Sequence, residues 1–294
     1  MPTIAFLGLG AIGRPMARRL AERFPGVVVW NRTAAVATEL AGTGTARAAA
    51  STAEAVRDAE IVITCFPTSQ DVVQVLDAGM EHALRPGAVL VDCTSGDPAT
   101  SRLIAARLAA RDVAFIDAPV SGGTSAAEGG TLTVMCGGNE AVLDRVRDVL
   151  AAFGSKIVHC GDVGAGHALK AVNNALLAVH IVSTAEGLAT LVKAGVRADV
   201  ALDVINASSG RSNASMNLFP ERVLTRAFPR TFRLALLDKD ARVAAGVAHE
   251  HDVPAPMLQL AADLMTSAHR ELGEEADHVE AVKLVERRAN VEIR

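Results

Sequence analysis

Through the first half of the chain, short apolar and β-branched runs alternate with longer stretches of helical spacing. The runs at 3–7 (TIAFL), 27–30 (VVVW), 61–66 (IVITCF), 88–92 (AVLVD), 113–117 (VAFID), 132–136 (LTVMC) and 156–160 (KIVHC) predict strands. The intervening helices carry recognisable starts. Ser51 with Glu54 reads as a capping box, Asp97-Pro98 opens ATSRLIAARLAA, and Asn139 precedes EAVLDRVRDVLAAFG. Strands alternating with helices imply right-handed crossovers and a mainly parallel, doubly wound sheet covered on both faces.

After Gly166 the strand pattern stops. The segment 167–194 predicts one long helix, apolar on nearly every face and so expected to be enclosed by protein on all sides. Further helices are predicted at 199–209, 235–251 and 255–273. The expected organisation is an α/β domain over 1–163 and an all-α domain over 164–294, without internal repeats. The surplus of apolar helix surface predicts self-association as a homodimer or homotetramer.

Composition narrows the function classes. Half of the 294 residues are apolar and 21% are charged, which fits a folded globular chain. Net charge is −4, the basic residues are dispersed, and there is one Trp and no Tyr, so no nucleic-acid partner is expected. Cys65, Cys93, Cys136 and Cys160 stand far apart, with neither a metal-ligand spacing nor a disulfide framework. The N-terminal apolar run lacks a basic lead and is broken by glycines, unlike a signal peptide. The most apolar window, 171–185, contains two Asn, a His and Ser-Thr, which argues against a membrane span. A soluble cytoplasmic protein is expected.

Candidate chemistry begins at GLGAIG, which places Gly8, Gly10 and Gly13 directly after the first strand and at the start of a helix. That spacing suits a dinucleotide, with a tight turn at the first glycine, backbone approach to the pyrophosphate at the second and close helix–strand packing at the third. Leu9, Ala11 and Ile12 complete the turn. At the end of the second strand an NAD-selective site would carry Asp or Glu, whereas here stand Asn31, Arg32 and Thr33. A neutral Asn and a guanidinium suit a 2′-phosphate, so NADP is expected, with NAD left open. Phe66 and Pro67, at the end of the third strand, join the expected cofactor set. After the fifth strand, Ser121 with the backbone N–H groups of Gly122 and Gly123 offers an anion-binding turn. In GAGHALKAVNN, Lys170 and Asn174 lie four residues apart and share a helix face.

FLGLGAIGRPMARRL, DAPVSGGTSAAEGGTLTVMCGG, GAGHALKAVNN, NASSGRS and LLDKD, in this order along essentially the whole chain, resemble the β-hydroxyacid dehydrogenase family, 3-hydroxyisobutyrate dehydrogenase-like. The resemblance implies a Rossmann-like domain joined by a long helix to an all-α domain that dimerises. It implies that Ser121, Gly122 and Gly123 bind a substrate carboxylate, that Lys170 is catalytic, and that Asn174 positions the reacting oxygen. Ser95 and Lys239 would contact the cofactor, with Asp240 as a structural partner. The implied reaction is NADP-dependent interconversion of a small 3-hydroxy acid and its semialdehyde, with Lys170 as general acid and base and no metal. Asn213 replaces an aromatic residue of the family pattern, which leaves room for serine-like, glycerate-like or semialdehyde substrates. Two rivals stand beside this reading, an imine reductase-like enzyme and a non-catalytic dinucleotide-binding module. Retention of Lys170 with PVSGG argues against the first, and Lys170, Asn174 and Ser121 together argue against the second. His180 reads as a core histidine and Glu186 as structural. His159 and His167 flank the turn into the long helix, and Arg211 is either a surface residue or a specificity contact.

Overall fold

Successive residues of the central strands belong to opposite faces of one sheet. Ile4 and Phe6 pack with Met16, Leu20 and Phe153 on one side, while Ala5 and Leu7 pack with Val62, Leu90 and Leu108 on the other. Both faces are buried, so the strands read as unbroken apolar runs rather than as alternations. The structure, a computed structural model, describes residues 1–294 and divides into two compact units, Met1–Lys170 and Ala171–Arg294.

In the first unit the strands are β1 (Ile4–Leu7), β2 (Val27–Trp30), β3 (Ala46–Ala48), β4 (Ile61–Thr64), β5 (Val89–Asp92), β6 (Ala114–Asp117), β7 (Val120–Ser121), β8 (Leu132–Gly137) and β9 (Gly154–Gly161). Their order is β3-β2-β1-β4-β5-β6-β8-β7, with β9 on β8. The first six pair in parallel, β8 runs antiparallel to β6 and β7, and β9 lies parallel to β8. The chain direction across the sheet reverses between β1 and β4, which opens a crevice at their carboxyl ends where such sheets take ligands. The sequence pattern missed β3 and β7. Ala46-Arg47-Ala48 has no β-branched residue and pairs only with β2, and β7 has two residues.

Asp97 and Asn139 cap their helices as expected, Asp97 accepting the Thr100 N–H and Asn139 those of Ala141 and Val142. Only half of the Ser51–Glu54 box forms. Ser51 accepts the Glu54 N–H at 3.1 Å, but the Glu54 carboxylate turns to the Ala50 N–H at 2.9 Å and to Arg47.

The long helix spans Ala165–Lys193, starting two residues before the expected 167. Beyond Lys170 it buries Ala171, Ala175, Ala178, Val182, Ala185 and Ala189, spaced alternately by four and three, against Leu202, Phe219, Leu237 and Met265. It is long and apolar enough to cross a membrane, yet this stripe of small residues is the packing of a core helix. The expectation of enclosure on all sides is corrected, because Leu169 and Leu176 are each 46% exposed. A narrow alanine stripe admits close neighbours on one side only. Helices at Ala198–Asn206, Leu234–Glu250 and Pro256–Leu272 agree with the sequence pattern. Two were not foreseen: wide π-type turns at Ala214–Val223, around Pro220, and the highly charged Val282–Ala289. Proline reads as a break in a sequence, and four charged residues in eight hide the second helix's apolar face.

Candidate active site

The glycine-rich turn leaves the end of β1. Gly8 donates its N–H to the Trp30 carbonyl at 2.9 Å and has φ +97°, and a Cβ there would lie 2.3 Å from the Cys65 carbonyl oxygen. A Cβ on Gly13 would lie 2.0 Å from the Gly8 oxygen. Internal packing therefore demands both glycines. Gly10 is different, since a Cβ there would meet nothing within 4 Å and the residue is exposed. The protein has no need of its own for glycine at this point, whereas a dinucleotide pyrophosphate laid against the backbone does. The turn thus fits the group its spacing implies.

Leu9 is buried and donates its N–H to Asn31 Oδ1 at 2.9 Å, while Asn31 Nδ2 donates to the Thr33 carbonyl at 3.1 Å. Asn31 thus braces the turn and sets the direction in which the chain leaves β2. Arg32 and Thr33 are exposed beyond it, as is Ala11, and Ile12 is half-buried. Phe66 follows β4 with its ring against Gly8, and its N–H is held by Thr94 Oγ1 at 3.0 Å. Pro67 is exposed next to it, and Ser95, one residue after Thr94, is half-buried. The first-unit members of the expected cofactor set therefore gather at the carboxyl ends of β1, β2, β4 and β5. Cys65 also lies here, but burial, with the Asp92 charge adding to it, pushes its thiol up to about 12, so it is not a nucleophile.

After β6, Ala118 and Pro119 lead into β7, where half-buried Ser121 pairs with Thr133. Gly122 has φ +137°, and a Cβ there would meet the Ala126 methyl at 2.5 Å. It and Gly123, also at positive φ, present exposed backbone.

Lys170 is half-buried in the second turn of the long helix and closes the first unit. One turn on, in the second unit, Asn174 is 5% exposed and donates Nδ2 to Asp240 Oδ2 at 2.6 Å. Asn174 Oδ1 accepts from Asn173 at 3.2 Å. The other Asp240 oxygen lies 2.9 Å from Lys239 Nζ, so one buried carboxylate links Asn174 to Lys239.

The histidines singled out by sequence are His159, His167 and His180. His167 is wholly buried with Nδ1 2.7 Å from Ser101 Oγ, and His159 Nε2 lies 2.7 Å from the Gly138 carbonyl. His180 is half-buried on the long helix, and Glu186 and Arg211 are exposed. Asn213, also exposed, accepts from the Asn217 amide at 2.9 Å. Asp117 was not singled out by sequence, yet it is fully buried where β6 meets the start of the long helix. Its place at the head of DAPVSGG was the available signal.

Residues 3–161 match the family model described as the NAD binding domain of 6-phosphogluconate dehydrogenase. Residues 164–285 match the model described as NAD-binding of NADP-dependent 3-hydroxyisobutyrate dehydrogenase. The chain is 35% identical to 2-(hydroxymethyl)glutarate dehydrogenase of Eubacterium barkeri, over 89% of this chain and 87% of that protein. It is also 35% identical to an NAD-dependent L-serine dehydrogenase of Pseudomonas aeruginosa, over 90% and 91%. Among solved structures, Mycobacterium tuberculosis 3-hydroxyisobutyrate dehydrogenase with L-serine superposes with a TM-score of 0.88 at 31% identity, covering 97% of this chain and 99% of that one. With the glycine turn and the helical second unit in place, these similarities put the chain in the β-hydroxyacid dehydrogenase family, as an NAD(P)-dependent oxidoreductase of hydroxy acids and their semialdehydes.

Proposed function

We propose that this enzyme prefers NADP and oxidises a small carboxylic acid bearing a hydroxymethyl group on its α-carbon, with Lys170 as general base and, in reverse, general acid. The carrying observation is the Asn174–Asp240 hydrogen bond at 2.6 Å. A carboxylate only accepts, so the amide nitrogen faces Asp240 and the amide oxygen faces away. Beside the Asn173 bond that oxygen has a second lone pair for a Lys170 ammonium or a substrate hydroxyl, and Lys170 lies one turn back on the same helix face. A fixed acceptor beside a half-buried amine serves proton transfer better than it serves packing.

In oxidation the Lys170 amine takes the hydroxyl proton as the carbinol carbon gives up hydride. In reduction its ammonium returns a proton to the developing alkoxide. The nicotinamide, when bound, accepts or supplies the hydride. Ser121 and the N–H groups of Gly122 and Gly123 hold the carboxylate, and Ser95 and Lys239 hold the cofactor. The names of the two enzyme relatives, on 2-(hydroxymethyl)glutarate and L-serine, share a hydroxymethyl group next to the carbon bearing the acid. Polar Asn213 suits a polar α-substituent. Arg32 beside neutral Asn31 supports NADP. Free cysteines support a reducing, cytoplasmic setting, and exposed apolar side chains on the second unit support a homodimer or homotetramer.

Lys170→Ala is expected to lower kcat by roughly 10²–10⁴-fold, the scale of a lost general base. The Kd for NADPH should stay within about twofold. Turnover of L-serine, 3-hydroxyisobutyrate and 2-(hydroxymethyl)glutarate with NADP checks this, and near-native rates in the variant would remove the lysine from the mechanism.

A further inference from the structure

We infer that Asp117 is a positioning residue whose carboxylate clasps the first turn of the long helix and thereby sets the place of Lys170. The inference deepens the reading of Lys170 as acid and base, and it rests on that reading.

A helix start leaves N–H groups without intrahelical partners, and a side chain at the N-cap ordinarily accepts one or two of them. Here Gly164 precedes the helix and has no side chain to offer. Asp117, at the end of β6, supplies both acceptors instead. Its Oδ1 takes the Gly164 N–H at 2.7 Å and its Oδ2 takes the His167 N–H at 2.9 Å. Negative charge at a helix N-terminus is favourable, and here it works against burial, which pushes the Asp117 carboxyl above its ordinary value. Lys170 follows His167 by three residues, less than one turn.

The surroundings are cut to fit this clasp. A Cβ on Gly166 would lie 2.2 Å from the Met135 carbonyl and 2.8 Å from Asp117 Oδ2, and a Cβ on Gly137 would lie 2.5 Å from Asp117 Oδ1. A Cβ on Gly96 would meet the His167 ring at 2.6 Å. His167 is keyed in turn by Ser101, and its Nε2 lies 4.0 Å from Asp92 Oδ2, two buried atoms that have no hydrogen bond. The same Asp117 stands four residues before Ser121. The carboxylate thus ties the helix that carries the amine to the strand that leads into the turn proposed to grip the acid group. A displacement of about 1 Å between reacting groups can cost roughly 10²-fold in rate.

Asp117→Asn keeps the size but replaces one accepting oxygen with an NH₂ that opposes a backbone N–H. With the fastest of the three substrates above, kcat is expected to fall roughly 10²-fold, with KM and the NADPH Kd within about twofold. Amide deuterium exchange over 164–170 should quicken while β1 and β4 stay protected. Adding Asp117→Asn to Lys170→Ala should cause no further loss, because both act through one amine. Ser101→Ala, a gentler change that frees His167 and gives up the hydroxyl's bond to the Asp97 carbonyl, should move kcat and exchange in the same direction by less, and it serves as the test if Asp117→Asn does not fold. Unchanged exchange over 164–170, an unaltered kcat, or losses that multiply in the double variant would overturn the clasp. Native turnover in Lys170→Ala overturns the reading of the lysine instead, and the exchange measurement then still decides whether Asp117 holds the helix.

Discussion

Arg32 is the residue on which the proposed preference for NADP rests. It leaves β2 next to Asn31, whose amide is committed to the Leu9 N–H, so the guanidinium is the group left to meet a ribose substituent. An arginine fork matches a phosphate, while an aspartate at this place would repel it and accept from a hydroxyl. Arg32→Asp is therefore expected to raise KM for NADPH at least tenfold, about 1.4 kcal/mol, and to leave KM for NADH equal or lower. Steady-state kinetics with both cofactors check this, and parallel changes in the two would remove Arg32 from the selection. Arg32 could be singled out in the sequence because the position that meets the ribose is set by its distance from the glycines. Asp240 was legible only as a neighbour of Lys239, since its hydrogen bond to Asn174 spans 66 residues.

Among the elements, helix starts show the same division. Asp97 and Asn139 act on N–H groups within three residues, and both could be read directly. The long helix has no local cap to read, because its acceptor sits on β6. A second case is Asp277, which caps the short turn at His278–Ala281 in a box with Glu280 and also accepts from Thr231 N and Oγ1 and from Phe232 N. Burial by itself would raise this carboxyl. The hydrogen bond and charge of His278 and the backbone N–H groups of Phe232 and Thr231 outweigh it, and they hold Asp277 well below the usual carboxylate range. A depressed pKa in the folded state contributes stability above the unfolded value near pH 4, and that contribution is lost as the pH falls toward the folded value. Asp277→Ala is expected to cost about 2–4 kcal/mol at pH 7, from a lost cap and stranded donors. Urea unfolding should show the gap between native and variant narrowing below pH 4, and a gap independent of pH would contradict this account.

At the scale of the whole molecule, each unit has its own core, and the second also leaves apolar side chains outside. Val200 and Val204, one turn apart on Ala198–Asn206, are 48% and 58% exposed, and Met257 and Leu260 on Pro256–Leu272 are more than half exposed. Exposed apolar surface of this kind is what the proposed assembly would cover. Replacing Val200 and Val204 together by Glu is expected to shift the native oligomer toward monomer without unfolding it, as read by light scattering and circular dichroism. A native protein that is monomeric at micromolar concentration would overturn the proposed assembly. What the sequence by itself determined was whatever acts over a few residues: the strand and helix periods, the glycine turn, the local caps, and Lys170 beside Asn174 on one helix face. The tertiary structure alone decided that Asp117 reaches Gly164 across 47 residues and that Asp240 reaches Asn174 across 66. Hydrogen bonds between distant segments leave no period or spacing in the chain, since their partners meet only once sheet and helices have packed.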